Sequence, residues 1–148
     1  MTARASSRQE IVMNFASPPS GDDLGVLAQQ VLETLPDELI AKIEDLDLLV
    51  EEFPDEVIEQ DMELGSPYEL LALYRSGKEI SPGVEKKVAN SDDELVLYRR
   101  PILDLWCETG EDLSGLLREV MIEEIARAFD FLEQDIVEMM KRHHQGLF

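Results

Sequence analysis

Apolar residues recur with helical spacing over one long stretch of the chain, Leu113 to Glu133 (LSGLLREVMIEEIARAFDFLE). Leu113, Leu116, Leu117, Val120, Met121, Ala128 and Phe129 fall at i, i+3 and i+4 intervals, which predicts an amphipathic helix over about 112–130. At roughly 100° per residue the stripe centres near ~20°, with Glu124 at about 20° and Arg127 near ~320°. A carboxylate is therefore expected in the middle of the face to be buried, with a guanidinium one turn on. Charged groups are seldom placed there without a partner or a chemical task.

The same patterning divides the rest of the chain. Residues 1–20 are polar and close on Ser17, Pro18, Pro19 and Ser20, which reads as a disordered leader before a single domain over 21–148. Asp22 or Asp23 then caps a helix carrying Leu24, Leu27, Val31 and Leu35, and Pro36 stops it. A shorter helix follows from Pro36 with Leu39, Ile40 and Ile43. Leu46–Phe53, Leu70–Arg75 and Leu95–Arg100 have the aliphatic content of strands, the last ended by Pro101. Pro54-Asp55-Glu56 opens a helical turn, and the segment from Gly77 to Asp93 reads as a connecting loop. Pro101–Cys107 resumes a helical pattern that Gly110 breaks. Leu132, Ile136, Val137 and Met140 predict a last helix to about residue 142. This order predicts an α+β domain, with a small mixed sheet of about three strands covered by helices on one side.

Composition narrows the functional classes. The 148 residues are 44% hydrophobic, enough for a core of their own, and carry a net charge of −20. So acidic a surface repels nucleic-acid phosphates and anionic leaflets and favours basic partners. No apolar run approaches the ~18 residues of a membrane span, and the N-terminal apolar patch is too short for a signal sequence. A cytoplasmic location is the expectation. Cys107 is the sole cysteine; amid Ile102, Leu103, Leu105 and Trp106 it reads as a packed thiol rather than a nucleophile.

Residue types alone leave three explanations for Glu124: a general base or metal-site acid, an ion pair with Arg127, or a solvated helix edge. The ion pair is favoured over catalysis. Glu123 and Arg127, at i and i+4 in acid-first order, are also spaced to pair at the surface.

From about Leu27 to Ile136 the chain resembles the small bacterial zincin-like metallopeptidases. The resemblance rests on LETLPDEL (32–39), VEEFPDEV (50–57), ELLALYRSG (69–77), LYRRPILDL (97–105) and VMIEEIARAFDFLEQDI (120–136), in that order and spacing. It implies an α+β fold in which a short sheet lies beside a helix bearing His-Glu-x-x-His. In that motif two histidines at i and i+4 bind zinc, and the glutamate between them acts as general base on the zinc-bound water.

Carried over by position, Glu124 matches the family glutamate. Glu123 stands at the first histidine, Arg127 at the second, Asp130 where a glycine usually follows, and Glu133 where an aspartate is common. Arginine stays protonated and has no lone pair for a metal. His143 and His144, near the chain end, do not restore the pair. The expectation is a zincin-like domain with a vestigial site (Glu123, Arg127, Asp130, Glu133 around Glu124), no zinc or other cofactor, and a peptide or protein as partner. The alternative is a hydrolase holding a non-zinc cation on Glu123, Glu124, Asp130 and Glu133.

Overall fold

A computed structural model describes residues 18–76 and 92–145, with side chains described to Lys141. The expected leader thus lies almost wholly outside the described residues, as do most of the loop after Gly77 and the side chains of His143 and His144.

Helix α1 (Gly21–Leu32) begins two to three residues earlier than the aspartates suggested. Ser20 is the cap: its hydroxyl accepts from the Asp23 N–H, and the Asp23 carboxylate accepts from the Ser20 N–H. Pro36 then leads into the short α2 (Asp37–Ile40). Strand β1 (Asp47–Glu51) is followed by α3 (Glu56–Asp61), capped by Asp55, and by a 3-10 turn at Pro67–Glu69. Strands β2 (Ala72–Arg75) and β3 (Glu94–Tyr98) complete the sheet. Helices α4 (Arg99–Thr109), α5 (Leu113–Ala128) and α6 (Glu133–Gln145) follow.

The sheet is mixed, with order β1-β3-β2: β1 runs parallel to β3 and β2 antiparallel to it. Leu95, Leu97, Ala72, Leu48 and Val50 point into the main core, where they meet Leu24, Ala28 and Val31 of α1 and Leu117, Met121 and Ile125 of α5. The other face is also closed at the central strand, since Val96 and Tyr98 are fully buried. The expected α+β architecture is present. Among the described residues it consists of six α-helices and a three-stranded sheet, and no described helix is long and apolar enough to cross a membrane.

Three local expectations are corrected. Arg99 and Arg100 belong to α4 rather than to the third strand, and Pro101 sits in the first turn of that helix, where its missing N–H costs nothing. Cys107 is exposed, not packed: α4 buries Pro101, Ile102 and Leu103 and packs Leu105 and Trp106 against the core, and Cys107 lies on the solvent side. On α6 the buried apolar residues include Ile136 and Met139, whereas Val137 is exposed, as is Leu132 just before the helix.

Candidate functional site

Asp112 starts α5 by accepting the Gly115 N–H at 3.0 Å. At the other end, the Phe131 N–H reaches the Ala126 carbonyl and the Asp130 N–H reaches the Arg127 carbonyl, with Asp130 left-handed at φ 61°. That is a Schellman closure, whose left-handed position favours glycine. Asp130 therefore ends the helix, and its exposed side chain occupies a position dictated by backbone geometry.

The buried face of α5 is wider than the seven-residue stripe and swings round the helix. Ile122, Ile125 and Ala126 are at most 1% exposed, whereas Ala128 is exposed and Phe129 half-buried. Glu124 consequently lies at the edge of the buried face, not at its centre. It borders β2, the sheet's edge strand. Antiparallel pairing of Leu73 with Val96 and Arg75 with Glu94 leaves Ala72 and Tyr74 with backbone groups turned outward. Glu124 Oε2 accepts the Tyr74 N–H at 3.0 Å.

The Tyr74 ring packs edge-on against Phe129, and its hydroxyl donates to Asp93. Burial raises the Glu124 carboxyl above the ordinary carboxylate range; the Tyr74 N–H and the Arg127 charge oppose that rise, and Glu123 adds to it.

Arg127 does not reach into the core. Its guanidinium meets Glu123 at 2.8 Å and Glu133 at 3.2 Å, joining the end of α5 to the start of α6, and all three side chains are substantially exposed. The surface pair of Glu123 with Arg127 is thus formed as its spacing suggests, while the buried pair of Glu124 with Arg127 is replaced by the contact to Tyr74. Between β2 and α5 lies a small open cleft of about 170 Å³, bordered by Glu69, Leu70, Ala72, Val120, Glu124 and Arg127. Tyr74 and Glu69 were not singled out in the sequence. The signal for both was β2's place at the sheet edge.

This arrangement does not fit zinc. Arg127 is a guanidinium whose pKa is raised further by Glu133 and Glu123, so it offers a metal no lone pair. The four carboxylates of the alternative are not gathered on one point: Arg127 binds Glu123 and Glu133, Glu124 turns to the Tyr74 N–H, and Asp130 ends the helix. Among the described residues no three histidine, cysteine, aspartate or glutamate side chains are grouped to hold a metal ion.

Compared with known proteins, residues 43–143 match the family model described as zincin-like metallopeptidase. No curated protein matches the chain.

Proposed function

The chain belongs to the zincin-like metallopeptidase family, and we propose that it acts as a peptide- or protein-binding module rather than as a zinc peptidase. The observation that carries this reading is Arg127, held between Glu123 and Glu133 where the family motif has a histidine. An arginine there supplies no ligand atom, and it occupies the carboxylates of Glu123 and Glu133. Without metal-bound water, Glu124 has no nucleophile to deprotonate, and its carboxylate instead caps the edge strand.

The cleft retains what recognition needs. Leu70, Ala72 and Val120 contribute apolar surface, and Glu69, Glu123 and Glu124 outnumber Arg127 in charge. Ala72 turns its backbone groups to the same side of the strand as Tyr74, whose N–H is taken. An extended segment with basic side chains fits this surface, pairing with the strand on the N-terminal side of Tyr74.

A fluorescently labelled, lysine-containing extended peptide tests the reading. The expected result is saturable binding that weakens in Glu69→Lys and at higher salt, with the peptide intact by mass spectrometry. Zinc-dependent cleavage, abolished by a chelator, would overturn it.

A further inference from the structure

The described chain begins at the end of the sheet where the cleft opens. The Pro19 carbonyl accepts from Arg99 Nε at 2.7 Å, and Arg99 Nη1 meets Glu52 at 2.8 Å, which ties this start beside the C-terminal ends of β1 and β3. At that same end the Tyr98 N–H donates to the Leu71 carbonyl at 2.9 Å, and Leu71 borders the cleft. Since β1 and β2 flank β3, two strand spacings, about 10 Å, separate the two points across the sheet.

The surface between them changes character along the way. Phe53, next to Glu52, meets Tyr68 edge-on at 5.2 Å, and Tyr68 precedes Glu69 of the cleft. The Arg100 guanidinium lies over Phe53, whereas Tyr68 is 42% exposed. An exposed aromatic ring therefore comes first and an acidic rim second. The sequence before Pro18 carries its side chains in the matching order. Counting back, Phe15, Met13, Val12 and Ile11 come first, then Arg8 and Arg4. Ten extended residues, the separation of Arg8 from Pro18, span up to about 33 Å, which is ample. Residues 1–17 hold two basic side chains and one acidic, whereas the rest of the chain holds 11 and 32. The segment is the cationic part of a strongly acidic molecule.

We propose that residues 1–17 occupy this chain's own cleft and compete there with an external peptide. Phe15 and its apolar neighbours cover Tyr68, and Arg8 and Arg4 lie against the acidic rim at Glu69. Tethering supplies an effective concentration on the order of millimolar, so a weak intrinsic affinity suffices. The proposal rests on the reading of the cleft as a peptide site and adds how access to it is regulated.

Paramagnetic relaxation enhancement in the full chain tests the placement. A nitroxide is attached at Gln9→Cys in a Cys107→Ser background, since the exposed Cys107 would also take the label. The expected result is broadening of backbone amides centred on residues 69–72 and 120–124, lost when Arg4→Gln and Arg8→Gln are added. The labelled lysine-containing peptide should bind that double variant at least about threefold more tightly than the parent chain. Lys141→Gln with Arg142→Gln, which removes the same charge elsewhere, should leave its affinity within about twofold. Broadening that is absent or spread evenly over the surface overturns the proposal. So does broadening between spin-labelled chains and separate isotope-labelled chains in a mixture, which would seat the segment on a second copy. Peptide binding equally well to parent and double variant, without localised broadening, refutes the intramolecular occupant and leaves the peptide site standing. Peptide binding to neither chain refutes the site itself.

Discussion

The core side of α5 and the side bordering β2 are built by different forces. On the core side, Leu117, Met121 and Ile125 are fully buried, and the helix is held by apolar area removed from water. On the other, Glu123, Glu124 and Arg127 are partly exposed and linked by ion pairs and one contact to a backbone N–H. Burial of the first kind fixes the fold, whereas exposed charge pairs contribute little to it. Side chains on that second side can therefore change chemistry while the helix stays where it is.

Substitutions on the two sides can break or sharpen this contrast. Ile125→Ala should have the largest effect, a loss of about 2–5 kcal/mol by chemical denaturation, because it opens a cavity in the core. Asp130→Gly removes a left-handed non-glycine residue and should stabilise the fold by roughly 0.5–1 kcal/mol. Arg127→Ala breaks two exposed ion pairs, and its loss of stability should stay below about 1 kcal/mol. A loss of several kcal/mol there would mean that the site edge is structural after all.

The smallest effect is expected from Glu124→Gln and is visible mainly as a pH dependence. The folded-state pKa of Glu124 is raised, so protonation favours the native state. That stabilisation is complete below the unfolded value and is lost as pH rises through the raised folded value. Glutamine keeps an oxygen for the Tyr74 N–H but cannot ionise. Its melting temperature should match that of the parent chain near pH 4 and exceed it at pH 7. A difference that does not change with pH would contradict the burial of this carboxylate.

Much of the fold was legible because local signals and tertiary structure agree. Pro36, Pro54 and Gly110 punctuate the chain where elements change, and the aliphatic runs become the three strands. The buried width of α5 was not legible. Ile122, Ile125 and Ala126 are enclosed by neighbours on several sides of the helix, and a one-stripe wheel cannot register that. Cys107 misled because apolar sequence neighbours on a helix point in different directions.

At the candidate site, the lack of a His-Glu-x-x-His motif is plain in the sequence. So is the pairing of Glu123 with Arg127, which is local and follows from i, i+4 spacing. The partner of Glu124 lies fifty residues away on β2, so its bond to the Tyr74 N–H required the sheet order to be known.

Metal content tests most directly the proposal that Arg127 occupies the place of a zinc ligand. Elemental analysis of the chain, purified without chelators and dialysed against zinc-containing buffer, is expected to find far less than one zinc per chain. Tightly bound zinc in one-to-one ratio would contradict the account.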